Sequence, residues 1–424
     1  MNVSPVLALA GLAVVGLLAT RLPRPRWRHV KGLDLMLAGG GPLLLLGLAL
    51  GPGIDLLARP TLQTIAPVTA LAVGWLGAGL GARFEWRYVR RIPRAAWLPA
   101  LLAASAGLVV AALAAWLAAQ LVPALGAAWM PRLPAILALG AIAAASGPGA
   151  VALAARAAAI GRSAARAVAL AATLETACAA VALTIPLALH RPHQPAGNAA
   201  LGWLAWIVLA AGSGVLVCTV FLSLTRLRPA RADLGLALLA TMLFGAGIGY
   251  AAELSPFVVC ALGAALIVNL APLRHVVRQV LADWEPTLGA LLLVIAGALL
   301  TLPTAWILLA APLLAALRIA ARWAGPRAGR LALKLPDLPF DVGLATVAQG
   351  GAAIALGVNF FLMYGGRGAG SGGAVLMTVV LGVTLAQLAA PRLMALALRP
   401  APAPLTQPAA LPELSPGRSS EVTT

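Results

Sequence analysis

One acid and one base lie deep inside the long apolar runs of this 424-residue sequence: Glu175 and Arg318. A charge at mid-bilayer costs about 3 kcal/mol on insertion scales, so such residues persist where they line a pathway or pair with each other. Glu175 and Arg318 therefore read as a functional pair, with Arg318 as the intramembrane basic partner. A carboxylate can hold a proton or coordinate a cation, and the two compete for the same oxygens. The hydroxyls of Thr173, Thr176 and Ser146, with backbone carbonyls freed around Gly147 to Gly149, would complete a hard oxygen shell of the kind an alkali cation takes.

Freed carbonyls need an interrupted helix, and two apolar runs carry one. The first contains Ser146-Gly147-Pro148-Gly149 and the second Gln349-Gly350-Gly351, with Asn359 further on. Proline removes a backbone donor and glycine loosens the helix, which releases backbone groups at membrane depth. The two breaks fall in the fifth and twelfth of thirteen candidate spans. An offset of seven spans, being odd, requires a repeat of inverted topology, and paired interrupted spans in inverted halves point to a transport site.

The surrounding elements are membrane helices. Hydrophobic residues make up 62% of the chain and charged residues only 10%, against about a quarter charged in ordinary soluble domains. That composition excludes a soluble enzyme and a disordered protein. The candidate spans are about 3–20, 35–52, 63–82, 96–121, 133–156, 165–189, 200–222, 233–252, 255–272, 284–301, 303–322, 339–363 and 373–398. The first run has no base before it and five after it, as an uncleaved anchor with its N-terminus outside would have. The net charge of +18 does not mark a nucleic-acid protein, because the bases sit in short clusters between spans. The odd loops and the C-terminal side hold 25 bases and the even loops 4. Positive-inside bias then places the N-terminus outside and the C-terminus in the cytoplasm of a cell inner membrane. Twenty-eight of the thirty bases are Arg, a coding bias that suggests a GC-rich bacterial genome.

Other chemistry finds little support. Cys178, Cys218 and Cys260 lie in apolar runs and read as core residues. His190 and His193 read as a solvated loop pair, with no metal site beyond a transported cation. No glycine-rich nucleotide fingerprint follows a strand-like run, no nucleophile constellation appears, and no cofactor is implied. Residues 400–424 read as a disordered cytoplasmic tail rich in Pro and Ser.

The residues resemble the monovalent cation/proton antiporter superfamily, the sodium/proton exchangers, over about residues 35 to 398. LGLALGPGIDLL (46–57) resembles a Gly-rich span ending in LGP-x-G. SGPGAV (146–151) resembles the signature of the first broken helix. ALRIAARWAG (316–325) resembles a basic intramembrane element, with Arg318 on its basic residue. ATVAQGGAAIALGVNF (345–360) resembles the second broken helix. ATLETACAAVAL (172–183) falls on the ion-binding helix, where the usual Asp-Asp or Asn-Asp pair is Glu175-Thr176; the essential acid position falls on Thr176, or on Glu175 with a one-residue slip.

The resemblance implies an all-α polytopic fold of about thirteen helices in two inverted repeats. It implies a transmembrane domain over 1–399, with a moving core (about 96–189 and 303–398), a scaffold that also dimerises (about 3–82 and 233–301) and a linker helix (about 200–222). The function implied is exchange of sodium or potassium for protons by alternating access, in a homodimer embedded in lipid. Two other readings stay open: a non-transporting member that acts as sensor or assembly partner, favoured by the Glu-Thr departure, and a sodium-coupled solute symporter of related fold.

Overall fold

The computed structural model describes residues 39–53, 57, 59–90, 94–189, 199–225, 231–271, 274–334, 341–364 and 371–398, with Gly11 and Val14 besides. The first candidate span, the His190/His193 pair and the tail lie outside them.

The described residues form helices and no strands. In chain order these are α1 (Gly41–Leu48, running into a π turn at Ala49–Gly53), α2 (Arg59–Thr64), α3 (Ala66–Gly81), α4 (Trp86–Val89), α5 (Arg94–Leu121), α6 (Pro123–Ala128), α7 (Arg132–Ala144), α8 (Pro148–Ala157) and α9 (Arg162–Leu189). There follow α10 (Ala199–Leu224), α11 (Arg231–Ala251), α12 (Pro256–Leu270), α13 (Arg274–Ala298), α14 (Ile307–Leu333), α15 (Val342–Ala345), α16 (Gly350–Tyr364) and α17 (Ser371–Ala397). Seven helices are long and apolar enough to cross a membrane, and the bent pair α7–α8 makes an eighth. Four shorter apolar helices cover Gly41–Gly53, Ala66–Gly81, Pro256–Leu270 and Gly350–Tyr364. In order, these elements fall on the second to thirteenth candidate spans. The chain is a multi-pass membrane protein.

One boundary differs in a way that matters. The hydropathy of the eleventh candidate span ends at Arg322, but α14 continues to Leu333 and stops at Lys334 in the left-handed conformation. Arg322 is therefore a bundle residue and not a loop base.

The helices pack in two sets. In one, α3, α11, α12 and α13 pack on each other, α1 lies on α13 and α10 on α12. The α3–α12 seam is set by glycine: a Cβ at Gly77 would come 2.1 Å from the Phe257 carbonyl oxygen, and one at Gly81 1.9 Å from that of Ala261. Small residues four apart bring backbones together where lipid offers no hydrophobic drive between helices. The other set comprises α5, α7, α8, α9, α14, α15, α16 and α17. Between the sets, α16 packs on α3, α12 and α13, and α9 packs on α10 with smaller contacts to α3 and α12.

Ion pairs fasten the end of the bundle that carries the basic loops. Glu85, buried after α3, pairs with Arg274 at 3.0 Å and Arg278 at 2.5 Å on α13. Asp341, before α15, pairs with Arg327 of α14 at 2.6 Å.

Candidate functional site

Two helices break where the sequence places the breaks. α7 ends at Ala144, the backbone runs extended through Ala145 and Gly147, and Pro148 opens α8 as its first residue, with a bend of 43°. Proline suits that position because its missing N–H would have had no helical partner. α15 is a single turn capped by the Asp341 side chain. The chain leaves it at Thr346, and Gly350, at φ +57°, starts α16. The two breaks cross. Gly147 N–H donates to the Ala348 carbonyl at 3.0 Å, and the Ser146 hydroxyl to the Thr346 carbonyl at 2.6 Å. A side chain at position 147 could not enter, since its Cβ would lie 2.1 Å from the Gln349 carbonyl oxygen. Gln349 returns the contact through Nε2 to the Ile142 carbonyl at 3.1 Å.

Glu175 stands on α9 at this crossing and is fully buried. Its partner is Arg322: Nη2 donates to Oε2 at 2.5 Å, with both side chains at 0% exposure. This corrects the expected pairing with Arg318. The two arginines are one helical turn apart on α14 and share a face, but they do different work. Arg318 gives Nε to the Ala143 carbonyl at 2.7 Å, Nη2 to Ala145 at 2.9 Å and Nη1 to Val347 at 3.0 Å. It neither snorkels to the surface nor bonds the carboxylate; it caps the carboxyl ends of both interrupted helices, where the helix dipole favours a cation. Arg322 also reaches the Ala144 carbonyl at 3.3 Å, and its Nη2 lies 2.5 Å from the Thr346 hydroxyl. Gly343 lets the backbone of α15 close on α14 here, since a Cβ there would lie 1.8 Å from the Arg322 carbonyl oxygen.

Thr346, absent from the sequence expectations as a site residue, completes the pair. Its hydroxyl accepts from Arg322 and lies 2.9 Å from both Glu175 Oε1 and the Val342 carbonyl, so its one proton serves one of them at a time. The expected oxygen shell is differently arranged. The Thr176 hydroxyl lies on the Ser146 and Ala172 carbonyls, and Thr173 bonds back to the Ala169 carbonyl at 2.8 Å, within its own helix. The carbonyls of residues 143, 144, 145, 346, 347 and 348 are met by Arg318, Arg322, Ser146 or Gly147 donors. The freed acceptors of the breaks are thus taken by the protein itself. Gly149 and Gly351 have open space where a Cβ would stand, beside the N-termini of α8 and α16. Among the described residues no three His, Cys, Asp or Glu side chains gather as a metal site.

Two interrupted helices cross at a buried carboxylate inside an all-helical bundle, and this arrangement has the fold of a solved sodium/proton antiporter. The chain superposes on the sodium proton antiporter MjNhaP1 from Methanocaldococcus jannaschii, solved at pH 8, with a TM-score of 0.65. The match covers 93% of this chain and 98% of that one, at 13% sequence identity. At that identity the fold is what the two share. No protein-family model and no curated protein matches the sequence.

Proposed function

We propose that the chain is a secondary transporter that exchanges a monovalent cation, sodium or potassium, for protons by alternating access, with Glu175 as the carboxylate for which they compete. The observation that carries this reading is the position of Glu175: a fully buried acid at the crossing of two interrupted helices, in a chain whose structural neighbour is a sodium proton antiporter. In the conformation described, the Arg322 guanidinium stands where the cation would. A cation entering must displace it, and a proton on Glu175 removes the charge that holds it. Arg322 suits that part. Its Nε is buried without a hydrogen-bond partner among the described residues, whereas every guanidinium nitrogen of Arg318 rests on a carbonyl. Arg318 then keeps the broken helices crossed while Arg322 moves.

The rest of the reading follows the charges and the fold. The basic end faces the cytoplasm, the set of helices holding the crossing moves against the α3–α12 set, and the latter set also forms a homodimer. One carboxyl carries one proton, so exchange against one monovalent cation is electroneutral. Each net charge moved would be worth about 2.3 kcal/mol per 100 mV; with none moved, a clamped voltage should leave the flux reversal point where it was. The test of the reading is a sodium- or potassium-dependent pH change inside vesicles that contain the purified protein.

A second reading has a specific observation behind it. Both oxygens of Glu175 are engaged, and Thr176 stands beside it where the resemblance would put a second acid. A chain locked in this way would sense or assemble and not transport. Vesicles in which neither cation moves protons would favour it.

A further inference from the structure

The two halves of the crossing meet the rest of the bundle differently. α16, which runs from the crossing away from the basic end, packs on α3, α12 and α13. α8, which runs from the crossing toward the basic end, packs on α9, α16 and α17. One stripe of α8 is accordingly open: Gly149 and Arg156 are exposed, and Ala152 and Leu153 partly so. The bundle is thus sealed between α16 and α12 at one end, and α8 makes no comparable contact with that set of helices at the other.

A polar contact crosses the seal. The Ser255 hydroxyl donates to Asn359 Oδ1 at 3.0 Å, and both residues are buried, at 1% and 0% exposure. Ser255 also caps α12 by accepting from Val258 N–H at 3.2 Å. Asn359 Nδ2 is buried with no partner among the described residues. The amide is therefore half satisfied. A hydrogen bond holds the closed state, while the orphaned donor, which water would satisfy in an open one, works against it. That balance describes a contact made to be released.

We propose that Ser255 and Asn359 are the latch that closes the end opposite the basic loops, and that the conformation described is the one open toward the basic end. The proposal rests on the transporter reading, because a latch presupposes two states. It makes these two residues positioning groups that set how often the far side opens.

The test uses a reporter under the latch. Ala355 lies one turn from Asn359 on the same face of α16 and is fully buried. With Cys178, Cys218 and Cys260 replaced by alanine, an Ala355→Cys chain in membrane vesicles is exposed to an impermeant maleimide from the side opposite the basic loops. Ser255→Gly removes the latch donor but retains a good helix cap, and should speed labelling about five-fold, the effect of one ordinary hydrogen bond. Adding Asn359→Leu to the Ser255→Gly chain, where no latch bond is left to lose, removes the unpaired amide and puts an apolar group at a site that opening would wet, so it should slow labelling relative to Ser255→Gly. Unchanged or slower labelling in Ser255→Gly overturns the latch, as does a double variant that labels faster still. If Ser255→Gly labelling is unchanged while the vesicles exchange cations for protons, the latch alone falls. If no variant labels and the vesicles are inert, the transporter reading falls with it.

Discussion

The α3–α12 seam and the crossing of the broken helices are both close backbone contacts, but they are held by opposite means. At the seam, Gly77 and Gly81 bring carbonyls to within about 2 Å of where a side chain would begin, with polar contacts only past its end, where Asn269 donates to the Phe84 carbonyl and accepts from the Trp86 N–H. At the crossing, the backbones approach just as closely at Gly147, yet the contact is fastened by two guanidiniums, three hydroxyls and one carboxylate. Dispersion packing falls off steeply with separation, so the seam suits a fixed unit. Hydrogen bonds and ion pairs can be exchanged for others, so the crossing suits a part whose partners change.

The comparison is broken most severely by removing one charge. Arg322→Met strands the Glu175 carboxylate in the bundle, and the loss of one partner from a buried pair costs about 3–5 kcal/mol. Thermal unfolding in detergent should show that loss. Adding Glu175→Gln to the same chain should restore most of the stability, because no uncompensated charge remains. If the single and double variants are equally unstable, the pair is not what holds the crossing.

The seam gives the next effect. Gly77→Val forces α3 and α12 apart and should cost about 1–3 kcal/mol by overpacking, while leaving ion-dependent behaviour per folded molecule unchanged. A Gly77→Val chain that is stable but altered in ion response would erase the distinction between the two regions. The smallest effect expected is at Thr176, whose hydroxyl joins α9 to the first break. Thr176→Val should cost about 1 kcal/mol, read by the same unfolding measurement.

The sequence and the structure agree most closely where covalent chemistry decides the outcome. Pro148 and Gly350 interrupt their helices because of what their backbones forbid or permit, and Glu175 stands alone as a deep acid. What the sequence hides is which donors answer the freed acceptors. Arg318 meets carbonyls 173 to 175 residues away in the chain, a choice set by packing and not by local pattern. Arg322 was hidden by Arg327, Arg330 and Lys334, which follow it and give its surroundings the hydropathy of a loop. Its spacing of four from Arg318 was the available signal, since one helix face would carry both. Thr346 and the Ser255–Asn359 contact, the latter 104 residues apart, have no local signature at all.

The central claim is that the Glu175 carboxylate couples the two fluxes. Its most direct test is proton movement into and out of vesicles on addition of sodium or potassium, with the wild-type chain beside Glu175→Gln, each normalised to folded, inserted protein. The account predicts a cation-dependent pH change in the wild type and none in Glu175→Gln, which keeps the shape of the side chain but cannot exchange a proton. Equal pH changes in both would contradict it and place the coupling group elsewhere.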